Sequence, residues 1–188
     1  SDLFMTEKLF NISYIDYNSD TNCHYDVYPG VVVTATKEAV EAFITRVNEA
    51  YKVLKKLHSQ VFPLGSTLSL SGQLKLETMM KAEGLTLVPT PKGGASMSAK
   101  EHREFNKLAQ EANTHNRAYY VREQVLESQI RMEEYQENVA EFERLIKENL
   151  AGYEKEVKLV FDCLEIRNLA AEAGPLYFQA NETRSFNI

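Results

Sequence analysis

Residues 98–151 contain neither glycine nor proline, which is the strongest constraint that this sequence places on its fold. Ser98 and Glu101 open the run as an S-x-x-E capping box, in which each side chain satisfies an amide of the first turn. The run predicts a long helix, and the apolar spacing resumes after Gly152 and continues until Gly174 and Pro175. Together they predict a helical arm over residues 98–173. Breaks are expected near residues 113–116, which are poor helix formers, and at Gly152.

Apolar residues recur along this arm at alternating steps of three and four. Because one helix cannot bury such a stripe against itself, the spacing predicts coiled-coil-like packing against a second helix or a second copy, with a dimer favoured. Intramolecular packing is the alternative, since Gln124, Gln129 and Gln136 stand where charged flanks usually select a partner. The predicted self-association residues are Val125, Met132, Tyr135, Val139, Phe142 and Ile146, with Ser128 as a polar interruption.

Charge indicates what kind of partner the chain would bind. The net charge is −6 and the pI is about 5.3, which argues against nucleic acid as the main ligand because phosphate binding needs a basic surface. The outer face of the arm is acidic, and Glu133, Glu137 and Glu141 are predicted to meet a protein partner with a basic surface. A solvated face is the simpler explanation. A sharper hypothesis is an inhibitor that mimics nucleic acid in the basic groove of an enzyme, by analogy with proteins of viruses and mobile elements.

Before the arm, the spacing of apolar residues changes, and segments with the alternation typical of strands appear. We expect an α+β head over residues 1–91, a Pro/Gly linker over residues 92–97 and an irregular tail over residues 174–188. The fold class is a small four-stranded, mainly antiparallel sheet in the order ββαββ with one covering helix. The strands are expected at about residues 8–17, 24–35, 66–77 and 84–89, and the helix at about 37–62, capped by Thr36. On that helix, Lys52, Lys55, Lys56 and His58 are expected to face solvent.

Tyrosines and aspartates alternate around the first predicted hairpin. Tyrosine offers a large contact area for few frozen torsions, and acidic neighbours select a basic surface, so the loop is a candidate recognition surface for protein. The alternative is that these tyrosines are half-buried strand residues. The predicted partner-binding residues in this hairpin are Tyr17, Asp20, Tyr25, Asp26 and Tyr28.

No catalytic or metal motif is complete. Asp16, Asn18 and Asp20 match the start of a calcium loop, but the required glycine and the closing glutamate are absent. We therefore predict no cofactor and no metal. A dispersed hydrolase or transferase site remains the enzymatic alternative, with one cluster as its best candidate: Asp16, His24, Asp26 and Tyr28.

Three functional classes remain open on this basis. The favoured one is a non-enzymatic protein-binding protein that self-associates through its arm; the others are the dispersed enzyme and a structural assembly subunit. No run of about 18 apolar residues suggests a membrane span, and Cys23 and Cys163 fit a reducing compartment. The expected location is the cytoplasm, or the host cytoplasm if the protein is viral.

Overall fold

The computed structural model describes residues 6–62, 67–170 and 175–183, and it confirms the α+β class with a four-stranded antiparallel sheet. The strands and helices follow in chain order: β1 Lys8–Asn18, β2 Cys23–Val27, β3 Val32–Ala35, α1 Lys37–Val61, α2 Leu70–Ala82, α3 Ala99–Asn149, α4 Glu154–Cys163 and β4 Phe178–Glu182. A short 3₁₀ helix, Ile166–Leu169, lies between α4 and β4.

The chain divides into two compact units. Unit 1 contains the described residues up to 62 together with those from 139 onwards, and unit 2 contains residues 67–138. Helix α3 contributes residues 99–138 to unit 2 and its last turns to unit 1. The boundary expected near residue 91 therefore does not match the division that the structure shows.

Strand β1 is the centre of the sheet in unit 1. It pairs with β3 through Lys8–Asn11, with β2 through Tyr14–Asn18 and with β4 through Phe10–Tyr14, always antiparallel. Because the β4 pairing overlaps both of the others, β2 and β3 must share one edge of β1 while β4 occupies the other. Pro29 and Gly30, with a φ of +90° at Gly30, separate β2 from β3 where the sequence predicted one bent strand.

One face of this sheet packs on α1 to form the core of unit 1. Thr36 caps α1 as predicted, accepting a hydrogen bond from the Ala39 amide at 3.1 Å. The apolar stripe predicted on this helix packs in one core with Ile12 of β1, Phe178 of β4 and Val160 of α4. The fully or nearly fully buried core residues include Ile12, Val47, Tyr51, Leu54, Phe142, Val160, Leu169 and Phe178.

His58 does not face solvent, contrary to the prediction for α1. Its ring stacks on Phe62 with centroids 4.6 Å apart and meets the edge of Phe142 at 5.7 Å. The residue is 7% exposed, and burial lowers the pKa of the imidazole.

The fourth strand of the sheet comes from the predicted irregular tail. Residues 178–182 form β4, and residues 171–174 and 184–188 lie outside the described part of the chain. The side chain of Asn48 on α1 holds the free edge of this strand: its Oδ1 accepts the Phe178 amide at 2.7 Å, and its Nδ2 donates to the Phe178 carbonyl at 3.0 Å. The Tyr51 hydroxyl donates to the Pro175 carbonyl just before the strand.

The long helix begins and ends close to the predicted points. The Ser98 Oγ accepts the Glu101 amide at 3.2 Å at its start. Gly152, with a φ of +87°, separates α3 from α4, as predicted. The break predicted at residues 113–116 is wrong, because α3 continues through them.

Unit 2 consists of α2, the irregular segment that follows it, and residues 99–138 of α3. Both α2 and the irregular segment lie along α3. The strand predicted at residues 66–77 is wrong, because Leu70–Ala82 is helical; residue 66 is outside the described part. Ser69 caps this helix by accepting the Gly72 amide at 3.0 Å. A Cβ on Gly72 would lie 3.3 Å from the Ile130 Cγ2, so glycine allows α2 to approach α3 closely here.

The strand predicted at residues 84–89 is also absent, since residues 85–98 are neither helix nor strand. Asn116 accounts for the second of these errors, the absent strand at residues 84–89. Its Oδ1 accepts the Val88 amide at 2.9 Å and its Nδ2 donates to the Val88 carbonyl at 3.0 Å, so a side chain of α3 satisfies the backbone that a sheet would otherwise pair. His115 Nε2 lies 2.8 Å from the Thr86 carbonyl oxygen, within hydrogen-bonding distance.

Candidate binding surfaces

The apolar stripe predicted on the arm divides into a buried and an exposed part. Phe142 is 1% exposed in the core of unit 1, and Val139 and Ile146 are half-buried. Phe142 is therefore a core residue, and its predicted role in self-association is wrong. Val125 and Met132 belong to unit 2 instead, and they are 42% and 62% exposed.

The exposed part lies on the face of α3 that points away from α2. Leu126 and Ile130 are each 2% exposed and mark the face toward α2. Residues 125 and 132 lie about 120° and 140° round the helix from the middle of that face, at about 100° per residue. The face extends toward the start of the helix through Val121, which is 57% exposed. We call this surface the exposed stripe; it consists of Ala118, Val121, Val125, Ser128, Met132 and Tyr135.

The spacing of the exposed stripe is that of a heptad repeat, with steps of three and four over two and a half heptads. An open groove at its first half is lined mainly by apolar atoms, from residues including Val121 and Val125. The predicted stripe included Val125, Ser128, Met132 and Tyr135 but not Ala118 and Val121. The three-four spacing upstream of Val125 was the signal that would have extended it.

Arginine and glutamine flank the exposed stripe on both sides. Two of the arginines are held by carboxylates of unit 2: Arg122 Nε donates to Glu83 at 2.8 Å, and Arg131 donates to Glu127 at 2.6 Å. Arg117 forms no ion pair with any residue in the described ranges. The flanks are Arg117, Gln124 and Arg131 on one side and Arg122, Gln129 and Gln136 on the other.

The acidic side chains predicted to meet a basic partner are partly neutralised within the chain. Glu133 pairs with Lys75 at 2.6 Å in unit 2. Glu141 pairs with Arg144 at 2.5 Å in unit 1, and this arginine lowers the pKa of the Glu141 carboxyl. Glu137 is exposed. The first two carboxylates therefore present less net charge than the sequence suggests.

The hairpin of β1 and β2 carries a second surface, in unit 1. Tyr17, Tyr25 and Tyr28 are 44%, 46% and 58% exposed. The Tyr25 hydroxyl lies 3.4 Å from Asp16 Oδ2, and the negative charge of Asp16 raises the pKa of this tyrosine. We call this surface the hairpin surface; it consists of Tyr17, Asp20, Tyr25, Asp26 and Tyr28.

The hairpin surface uses both faces of the two-stranded ribbon. Tyr17 is paired with His24 across the strands, their ring centroids 5.3 Å apart, whereas Tyr25 is paired with Asp16. Successive strand residues point to opposite faces, so Asp16 and Tyr25 lie on one face and His24 and Asp26 on the other. The residues named for the enzymatic alternative therefore do not converge on one point.

The aspartates and asparagine of the incomplete calcium loop bond to their own backbone. Asn18 Oδ1 accepts the Asp20 amide at 2.9 Å, and Asp16 Oδ1 accepts the Tyr17 amide at 2.8 Å. These are the bonds of an ordinary polar turn. Within residues 6–62, 67–170 and 175–183, no three His, Cys, Asp or Glu side chains are grouped so as to hold a metal ion.

The two cysteines lie in different environments. Cys23 is exposed, and its Sγ donates to the Thr21 carbonyl at 3.3 Å. Burial raises the pKa of the Cys163 thiol to about 11, so this thiol stays protonated at neutral pH. Burial therefore makes Cys163 a poor nucleophile.

Comparisons with known proteins do not assign the chain to a family: no family model, no curated protein and no solved structure matches it. Among the described helices, none combines the length and the apolar character needed to span a membrane.

Proposed function

We propose that this chain is a non-enzymatic protein-binding protein that self-associates through the exposed stripe of α3. The observation that carries the proposal is the exposure of Val121, Val125 and Met132 at heptad spacing on the face of α3 that α2 leaves open. Helical pairing is the usual way in which such a stripe is removed from water.

The expected affinity is modest. Full burial of a Val or Met side chain contributes about 1.5–3 kcal/mol, and these residues are already about half-buried, so each would contribute about 1 kcal/mol. Six such side chains in a pair of copies contribute about 6 kcal/mol, to which Tyr135 and the flanks add and from which association costs subtract. With association costs near the low end of their range, a net value of about −4 kcal/mol is expected, which corresponds to a Kd of about 1 mM.

The test is the mass of the protein in solution at concentrations up to about 1 mM, measured by sedimentation equilibrium. The wild-type chain is expected to form dimers, and Met132→Glu is expected to weaken them at least tenfold with an unchanged circular dichroism spectrum. Leu70→Glu is the matched control, because Leu70 is 79% exposed in the same unit but lies on α2. A monomeric wild type, or equal effects of the two substitutions, would contradict the proposal.

The hairpin surface is our proposed site for a different protein, one with a basic surface. Its support is the exposure of Tyr17, Tyr25 and Tyr28 beside Asp20 and Asp26. A photo-crosslinking residue in place of Tyr28 is expected to capture one partner in a salt-sensitive manner, and the same residue in place of Leu70 is expected not to. Capture that is equal at the two positions would remove the support for this site.

The inhibitor hypothesis receives less support than protein binding in general. Nucleic-acid mimicry needs a continuous surface of unpaired carboxylates, and Glu133 and Glu141 are engaged by Lys75 and Arg144. The enzymatic alternative lacks a site whose residues converge, and we do not propose it.

A further inference from the structure

We propose that two copies pair with their exposed stripes antiparallel, with the centre of the contact between Val125 and Ser128. This inference rests on the proposed self-association and adds its orientation and register. It follows from the sizes of the side chains along the stripe and from the charges that flank it.

The sizes are unevenly distributed along the stripe. The first half carries Ala118, Val121 and Val125, and the second half carries Ser128, Met132 and Tyr135. An antiparallel pair centred between Val125 and Ser128 sets each small residue against a larger one, in three kinds of layer: Ala118 with Tyr135, Val121 with Met132, and Val125 with Ser128. The volume of side chain then varies less from layer to layer than in a parallel pair, although the Val125–Ser128 layers remain the smallest, and more even filling favours close packing.

A parallel pair in register would set each residue against itself. Tyr135 would meet Tyr135 and Met132 would meet Met132, while the Ala118 and Ser128 layers would hold only two small side chains each. Such a contact is overfilled at one end and underfilled at the other. Gaps of this kind lose dispersion contacts, so the parallel arrangement packs less well.

The flanking charges favour the same orientation. In a parallel pair, a residue on one flank faces the residue five positions further along on the second copy. Arg117 would then face Arg122 at two places, although the pairing of Arg122 with Glu83 reduces the repulsion. In the antiparallel pair, Gln124 lies within about 3 Å along the axis of Arg131 of the second copy, and Gln129 lies equally close to its Arg122. The antiparallel pair therefore sets these arginines against neutral amides that accept hydrogen bonds.

Two single substitutions distinguish the orientations by sedimentation equilibrium on the full chain. Gln124→Glu sets a carboxylate beside Arg131 of the second copy only in the antiparallel pair, and Gln136→Glu does so only in the parallel pair. Because Arg131 is also paired with Glu127, each new ion pair is expected to contribute near the lower end of the range for exposed pairs. Two of them per dimer are expected to tighten it about twofold. We expect this tightening for Gln124→Glu and not for Gln136→Glu.

Cysteine crosslinking gives an independent readout of the register, in a chain with Cys23→Ser and Cys163→Ala. Val125→Cys and Ser128→Cys variants, mixed under mild oxidation, are expected to form the mixed disulfide faster than Ser128→Cys crosslinks to itself. Tightening by Gln136→Glu or rapid self-crosslinking of Ser128→Cys would overturn the antiparallel register and leave self-association standing. The register would also be overturned if the chain dimerises but neither Gln124→Glu tightens the dimer nor the mixed disulfide forms faster. A chain that stays monomeric would remove the proposed self-association as well.

Discussion

The two hydrogen bonds between Asn48 and the backbone of Phe178 are expected to hold β4 on the sheet. Asn48→Ala removes both bonds, at 2.7 and 3.0 Å, and leaves one amide and one carbonyl of Phe178 without these partners. An unsatisfied buried polar group costs about 1–3 kcal/mol, and the site is only part-buried, so water recovers some of the loss. We therefore expect the free energy of unfolding of unit 1 to fall by about 2–4 kcal/mol.

The measurement is urea unfolding followed by circular dichroism and tyrosine fluorescence, since the chain has 10 tyrosines and no tryptophan. Asn11→Ala is the matched control, because the Asn11 side chain donates only an exposed hydrogen bond, to Thr183 at 3.1 Å. Asn11→Ala is expected to lower the free energy of unfolding by less than about 0.5 kcal/mol. Hydrogen exchange should also speed up at the Phe178 amide in Asn48→Ala. A loss below about 1 kcal/mol with unchanged exchange at Phe178 would refute the reasoning.

Two further predictions concern His58 and Asn116. Burial lowers the folded-state pKa of His58, so unit 1 should keep its full stability above the unfolded pKa of about 6.5 and lose stability as the pH falls through the lowered value. His58→Leu should lose less stability than the wild type between pH 7.5 and pH 5 in urea titrations, and equal losses would contradict this assignment. Asn116→Ala should free the Val88 backbone and speed proteolysis after Lys92, whereas Asn113→Ala, an exposed position on the same helix, should not. Equal cleavage rates in the two variants would show that Asn116 does not hold this segment.

The features that sequence analysis placed correctly depend on neighbouring residues. The cap at Thr36, the capping serine at Ser98 and the break at Gly152 all act within one helical turn. Strand β1 was also predicted from neighbouring residues, because the alternation of Phe10, Ile12 and Tyr14 indicated which of its faces is buried. Tyr17 and Tyr25 are about half exposed in β1 and β2, and the role of these tyrosines in partner binding stays a prediction.

The strand predicted at residues 66–77 was wrong although a local signal for a helix was present. Leu68, Leu70, Leu74 and Leu76 alternate as in a strand, but Leu70 and Leu74 are 79% and 64% exposed on a helix. The strong helix formers of residues 73–82 were the signal for this helix, and the even spacing outweighed them.

The sequence by itself determined where α1, α3 and β1 form, and it placed β2 and β3 within one bent strand, because periodicity and caps act over a few residues. Tertiary structure decided that β4 joins β1, pairing Ser13 with Gln179 across the length of the chain. It also decided that Phe142 is buried while Val125 and Met132, on the same stripe of one helix, stay exposed. Spacing shows that an apolar face exists, but only the folded chain shows how much of that face its own elements cover.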